Sequence, residues 1–87
     1  MFSVNEIIQA TGGKLIQGRL INNLVDISTD SRRLKPQVAF LALRGKNFDG
    51  HDFIADSIKA GVSCLIVERI PKFSIPVDLA VIKVKNT

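Results

Sequence analysis

Two short stretches of this chain contain no polar residue, and they constrain its fold more than any other feature. Residues 38–43 read Val-Ala-Phe-Leu-Ala-Leu and residues 64–67 read Cys-Leu-Ile-Val. A strand with one face in water alternates apolar and polar residues, so continuous apolar runs this short suit central strands covered on both faces. Between them, residues 51–60 place Phe53, Ile54 and Ile58 on one side of a helix, and Gly61 follows its end. Strand, ten-residue helix and strand in that order predict a parallel βαβ crossover.

The remaining pattern agrees with an α/β chain. Ser3-Val4-Asn5-Glu6 has the spacing of a capping box, with Ser3 at the N-cap and Glu6 three residues on. Ile7, Ile8 and Ala10 supply the apolar face of that helix, and Gly12 and Gly13 offer the left-handed conformation that ends it. Residues 14–17 read as a short strand, 18–23 as a turn region, and 25–28 as a strand alternating apolar and polar positions. A last strand is expected over 79–84, and no closing element follows it. The fold expected is one small α/β domain: a mixed sheet of about five strands, flanking helices and a βαβ crossover, cut from something longer.

Length and composition then remove several classes of function. At 87 residues the chain has room for one domain, which buries about 60–65% of its unfolded surface. Little space remains to enclose both a nucleotide and a second substrate, so a complete multi-substrate enzyme is not expected. The longest apolar run, six residues, is far below the roughly 20 that span a bilayer. The N-terminus has no basic segment, and Asn5 and Glu6 interrupt its apolar residues, so no secretory leader is read. The one cysteine, Cys64, has no internal disulfide partner, and with the one histidine, His51, it makes no zinc site. The chain is expected in the cytoplasm, without membrane or metal.

Thr11-Gly12-Gly13-Lys14 invites comparison with a phosphate-binding loop. That loop needs a glycine five residues before the Gly-Lys pair and a Ser or Thr after it; Ile8 and Leu15 stand there instead, and a helix cap accounts for the glycines. His51 lies beside Asp49 and Asp52 at the start of a helix, with no activated nucleophile near it, which favours capping and loop geometry over catalysis. Cys64 sits within an apolar strand and reads as an inert core residue.

The distribution of charge is more informative. The chain carries 12 Lys and Arg against 8 Asp and Glu. Arg32, Arg33, Lys35, Arg44 and Lys46 fall within fifteen residues free of Asp and Glu. Two polar loops bracket this stretch, 28–31 and 45–50, and the second leaves the C-terminal end of the strand at 38–43. Ligands of open α/β sheets favour the crevice beyond strand C-termini. Hydroxyls, closely approaching glycine backbone and Arg or Lys charge together suit a diphosphate. The plainer reading is a solvated basic face with two ordinary turns.

Those loops carry a family resemblance. Ile27-Ser28-Thr29-Asp30-Ser31-Arg32, then Lys35-Pro36, then the run from Phe40 through Arg44-Gly45-Lys46-Asn47-Phe48-Asp49-Gly50-His51-Asp52-Phe53-Ile54 resembles the N-terminal domain of the Mur ligases. The opening Glu6 to Leu15 and Phe48 ahead of Asp49-Gly50-His51 are most similar to the MurF branch. The resemblance covers nearly the whole chain. It implies a domain over residues 1–87 that holds a UDP-linked muramyl peptide, with separate ATP-binding and C-terminal domains outside this chain. That branch joins D-alanyl-D-alanine to a UDP-linked muramyl tripeptide in peptidoglycan synthesis, through an acyl phosphate.

The resemblance further implies that Thr29 and Ser31 contact the uridine or diphosphate, with Lys46, Asn47 and Phe48 in the second contacting loop. Arg32 is added as a charge partner, and Asp49, Gly50 and His51 as residues shaping that loop. No catalytic residue, metal ligand or cofactor is expected in this domain, and ATP and magnesium are expected for the full-length ligase. One departure stands out: the family pattern has Pro-Gly where this chain has Pro36-Gln37. A type II turn wants glycine there, so a type I turn or local strain is expected.

Two alternatives remain: the same domain of a MurE-type ligase, and a small basic module that binds nucleic acid. The sequence pI of about 9.7 permits the second. Against it, Trp and Tyr are absent and the five Phe mostly sit in apolar runs, leaving no evident stacking platform. No nucleic-acid partner is therefore expected.

Overall fold

The computed structural model describes residues 2–46 and 49–85. Five strands form one mixed sheet: β1 Lys14–Gln17, β2 Asp26–Ser28, β3 Val38–Leu41, β4 Cys64–Val67 and β5 Ala80–Lys83. Their order across the sheet is β1-β5-β4-β3-β2; β2 to β5 run parallel to their neighbours, and β1 is antiparallel to β5. Helix α1 spans Val4–Thr11 and helix α2 spans Ile54–Lys59. The expected α/β class, strand number and βαβ crossover are what the molecule adopts.

Strands β3 and β4 are the two apolar runs, and they lie at the sheet centre because both of their faces are covered. Ala39, Cys64, Ile66, Ala80 and Ile82 point to one face, where Val4 and Ile7 of α1 join them. Phe40, Leu65, Val67 and Val81 point to the other, against Ile54 of α2. The alternation of a strand thus feeds two cores from one continuous run. Burial of Cys64 in the first core pushes its thiol up to about 12, so the inert reading of this cysteine agrees with its surroundings.

The capping box forms as spaced: the Ser3 hydroxyl accepts the Glu6 amide and the Glu6 carboxylate accepts the Ser3 amide, both at 3.0 Å. Gly12 adopts φ 69° as the helix C-cap. The buried face of α1 differs from expectation. Val4 and Ile7 are buried, Ile8 is half-buried and Ala10 is exposed, because positions 4, 7, 8 and 11 share a stripe that position 10 falls outside. The helix expected over 51–60 begins as a 3-10 turn, Gly50–Phe53, capped by Asp49, and becomes α-helical only at Ile54. Strand β3 stops at Leu41 because the Leu43 carbonyl turns to accept the Gly50 amide at 2.6 Å.

Of the four described Phe, the expectation of core positions holds fully for Phe40 alone. Phe53 is half-buried, Phe2 and Phe73 are 41% and 48% exposed, and Phe48 lies outside the described residues. Phe73 sits between Lys72 and Ser74 with no apolar neighbour in sequence, so nothing draws it inward.

The turn at Pro36-Gln37 resolves as the strained alternative. Gln37 has φ 70°, the sole described residue other than glycine at positive φ. The Val38 amide donates to the Lys35 carbonyl at 3.3 Å, which gives a turn of the type II kind with Gln37 where glycine belongs. Tertiary hydrogen bonds hold it there: the Gln37 amide donates to the Ser63 hydroxyl at 3.0 Å and its carbonyl accepts the Val25 amide at 2.8 Å. The left-handed conformation costs about 1–2 kcal/mol, which these bonds offset.

Candidate functional site

Parallel strands deliver their C-terminal ends to one edge of the sheet. Ser28 pairs with Phe40, Leu41 with Ile66, and Val67 with Lys83. The segment after β2, the loop after β3 and the residues after β4 therefore leave from neighbouring points, each about 4.8 Å from the next. This edge carries both loops singled out in the sequence.

The first loop is built on Asp30. The Ser28 hydroxyl accepts the Asp30 amide at 3.1 Å, and the Asp30 carboxylate caps a short 3-10 turn, Ser31–Arg33, by accepting the Arg32 amide at 2.9 Å. The same carboxylate pairs with Arg32 at 3.1 Å and Arg33 at 3.7 Å, and the Arg32 side chain above all holds it below the usual carboxylate range. Arg32 and Arg33 extend into solvent, 88% and 84% exposed in their side chains. The hydroxyls of Ser3, Thr11, Ser28, Ser57 and Ser63 all bond within the chain. Thr29, Ser31 and Ser74 are the described hydroxyl residues with no bond of that kind. Thr29 and Ser31 thus present unused polar groups beside two guanidinium groups.

The second loop is closed at its neck. Arg44 and Asp49 form an isolated antiparallel bridge, and the Gly50 amide donates to the Leu43 carbonyl. Lys46 projects from this loop into solvent. Asn47 and Phe48 lie outside the described residues. Gly50 fits because its backbone passes close to the chain that it meets: a Cβ there would stand 2.8 Å from the Leu43 amide nitrogen and 2.9 Å from the Ala42 Cα.

A network at the base of this loop was not legible in the sequence. Asp49 Oδ1 accepts both the amide of His51, at 3.0 Å, and its ring Nδ1, at 2.7 Å, while Asp49 Oδ2 accepts from Arg69 at 2.6 Å. On the far side of the ring, Nε2 accepts the Glu68 amide at 3.0 Å. An Nε2 that accepts carries no proton, so the proton sits on Nδ1 and the buried imidazole is neutral. Both nitrogens are engaged inside the chain, which fits the shaping role read for His51. Glu68 in turn pairs with Arg44 at 3.5 Å. Glu68 and Arg69 were missed by the sequence reading. The one signal available was their place directly after β4, at a strand C-terminus.

The Arg69 hydrogen bond, followed by those from the His51 amide and ring, holds the Asp49 carboxyl well below the usual carboxylate range. A carboxylate depressed on folding adds stability above its unfolded value, about 3.9, and that stability is lost as pH falls toward the folded value. The expected result is a midpoint of urea unfolding that drops between pH 4 and pH 2. In an Asp49→Asn chain, which keeps the cap but not the charge, the drop should be shallower. Asp30 is depressed as well, so a residual slope persists. Equal slopes in the two chains would show that the Asp49–Arg69 pair contributes nothing to acid sensitivity.

Three hollows accompany this edge and its opposite. One of about 390 Å³ lies at the N-terminal ends of the parallel strands, lined by Asn23, Gly61, Ser63 and Asp78 among others. A second, about 280 Å³, lies beside His51 and Arg69 under Ile70, Pro71 and Phe73. A third, about 330 Å³, lies where β1 meets β5. Thr29, Ser31 and Arg32 line none of these three. Gly12-Gly13-Lys14 follows the end of a helix, whereas a phosphate-binding loop precedes one. Its geometry therefore does not fit an ATP site. No group of three or more His, Cys, Asp and Glu among the described residues is placed to hold a metal ion. No described helix is long and apolar enough to cross a membrane.

The family model described as Mur ligase family, catalytic domain, matches residues 23–86. The UDP-N-acetylmuramoyl-L-alanyl-D-glutamate--2,6-diaminopimelate ligase of Cytophaga hutchinsonii is 35% identical over 72 residues, covering 83% of this chain and 15% of the relative. The UDP-N-acetylmuramoyl-tripeptide--D-alanyl-D-alanine ligase of Escherichia coli is 44% identical over 62 residues, covering 70% of this chain and 13% of the relative. Among solved structures, MurF from Acinetobacter baumannii superposes with a TM-score of 0.85 at 32% identity, covering 99% of this chain and 18% of that one. The chain spans less than a fifth of the length of these proteins. Both the diaminopimelate-adding and the D-alanyl-D-alanine-adding ligases are among the matches, so the branch is not distinguished. With its sheet, its two loops and this shared sequence, the chain belongs to the Mur ligase family.

Proposed function

We propose that this chain is the domain of a Mur ligase that holds the UDP end of a UDP-linked muramyl peptide, and that the ligase is of the MurF type. The observation that carries the reading is the pairing of unused Thr29 and Ser31 hydroxyls with the exposed Arg32 and Arg33 at the strand C-terminal edge. Hydroxyl and guanidinium donors side by side suit a diphosphate, and ligands of open α/β sheets favour this edge. The second loop faces the same edge, with Lys46 as its free cation. Asn47 and Phe48 complete the proposed contact set, while Asp49, Gly50 and His51 fix the loop neck.

On this reading the domain binds and orients, and amide-bond formation belongs to the rest of the ligase. ATP and magnesium are proposed to bind there, since the Gly-Gly-Lys segment here has the wrong geometry for them. The cytoplasm, where UDP-linked precursors would be used, is the proposed location. The MurF branch is preferred on Phe48 ahead of Asp49-Gly50-His51 and on the opening Glu6 to Leu15.

An NMR titration of the labelled chain with UDP tests this, with ATP and a short single-stranded oligonucleotide as controls. Shifts should concentrate at residues 29–32 and 46–51 with UDP and stay small with ATP. Ser31→Ala should weaken UDP binding about threefold to tenfold, the net scale of one ordinary hydrogen bond, with unfolding unchanged. Equal response to all three ligands would favour a general basic face and the nucleic-acid alternative; an unchanged dissociation constant would remove Ser31 from the site.

A further inference from the structure

The corner where β1 meets β5 collects positive charge that the fold does not neutralise. Lys14 and Lys83 are direct cross-strand partners, an arrangement of like charges that destabilises a sheet. Together with Lys85 they line the hollow of about 330 Å³, whose remaining walls are Gly12, Glu68 and Val84. None of the three lysines has a carboxylate partner among the described residues. Glu68, the one acid in the wall, already pairs with Arg44, and its side chain is only 13% exposed. The carbonyl end of α1, closing at Gly12, accounts for a cation at Lys14; it does not account for Lys83 and Lys85 on a different strand.

We propose that this corner is a second oxyanion subsite, separate from the loop at residues 29–33. Three ammonium groups around one concave space match a carboxylate or phosphate group. Lys83 and Lys85 follow the same rule as the first site, since they lie at the C-terminal end of β5 on the edge that carries both loops. Counted in strand spacings of about 4.8 Å, the two subsites are roughly 14–19 Å apart along that edge. A ligand with a diphosphate at one end and peptide carboxylates at the other spans such a distance, given about 3.5 Å per extended residue. The oxyanion has two possible sources: the peptide carboxylates of the ligand proposed above, an arm that rests on the proposed function, or a separate phosphate.

The test is amide and lysine-side-chain NMR on the labelled chain at constant ionic strength. Inorganic phosphate, UDP and UDP-N-acetylmuramoyl tripeptide are titrated in turn, with chloride as reference. Saturable shifts at Lys14, Lys83 and Lys85 with phosphate or with the muramyl peptide, and not with chloride, are expected. Shifts with phosphate alone identify a separate phosphate as the source, and shifts with the muramyl peptide identify its carboxylates. In a Lys83→Gln, Lys85→Gln chain of unchanged circular dichroism, the responding ligand should bind about fivefold to tenfold more weakly, the scale of two solvent-exposed charge contacts. UDP binding at residues 29–32 should not change. Lysine signals that ignore both ligands, or that respond equally to chloride, overturn the subsite. Failure of UDP to bind the parent chain overturns the proposed function instead, and the phosphate arm still decides the corner.

Discussion

Phe40→Ala should cost this chain about 3–5 kcal/mol of its stability at 25 °C. Phe40 is fully buried, and it is the largest of the fully buried side chains among the described residues. It stands in the middle of β3 and packs into the core that α2 covers, with Leu65, Val67, Val81 and Ile54 in the same cluster. Removing such a ring costs about 3–5 kcal/mol, because the transfer energy is lost and the cavity collapses only in part. A domain of this length holds roughly 4–13 kcal/mol in total, so one substitution takes about a quarter of it or more. Urea unfolding followed by circular dichroism reads the loss directly. Ile16→Ala, at a side chain 46% exposed on β1, is the reference and should change stability by no more than about 0.5 kcal/mol. A loss below about 1 kcal/mol for Phe40→Ala would mean that β3 is not the centre of the fold. Ser28 pairs with Phe40 in the sheet, so the UDP binding proposed for the loop carrying Thr29 and Ser31 should be lost with the fold.

The parts of this fold that could be read from the sequence are those set by neighbours in the chain. The apolar runs announced β3 and β4 because a strand covered on both faces leaves no place for a polar side chain. Ser3 and Glu6 announced the start of α1 because a capping box is complete within four residues. The resemblance covered both polar loops, and the family match bears out the fold and the membership it implied. What escaped depends on register. Asp49 and Arg69 are twenty residues apart and meet only because β3 and β4 pair in parallel, placing Arg69 at the same edge as the loop neck. The lysine corner likewise exists only through the pairing of Lys14 with Lys83, 69 positions later in the chain. The turn at Gln37 was partly legible, since its local sequence pointed to a different turn or to strain. The choice between them was made by Ser63 and Val25, which no local pattern contains.

Gly18→Ala is the second large effect expected, and it separates the two ends of the sheet edge. Gly18 follows β1 with φ 89°, a conformation that side chains rarely adopt. An added Cβ would stand 2.4 Å from the Ala80 Cα and 2.7 Å from the Ala80 nitrogen. Both atoms are backbone, so no side chain can turn aside. The register shift between Leu15 and Gln17 in the β1–β5 pairing lies directly before this point of close approach. Left-handed strain of about 1–2 kcal/mol adds to an overpacking cost of about 1–3 kcal/mol, for an expected loss of roughly 2–5 kcal/mol. Gly12→Ala provides the contrast: φ is also positive, at 69°, but nothing lies within 4 Å of the added atom, so only the first cost, about 1–2 kcal/mol, applies. Because β1 is an edge strand, the damage should concentrate there. Hydrogen exchange in Gly18→Ala should accelerate first in β1 and at its partners in β5, while amides of β2 and β3 keep their protection as long as the chain stays folded. In such a chain the lysine corner loses its Lys14 wall, and the UDP shifts proposed for residues 29–32 should persist. Uniform loss of protection across all five strands would instead show that the antiparallel edge and the parallel core unfold as one unit.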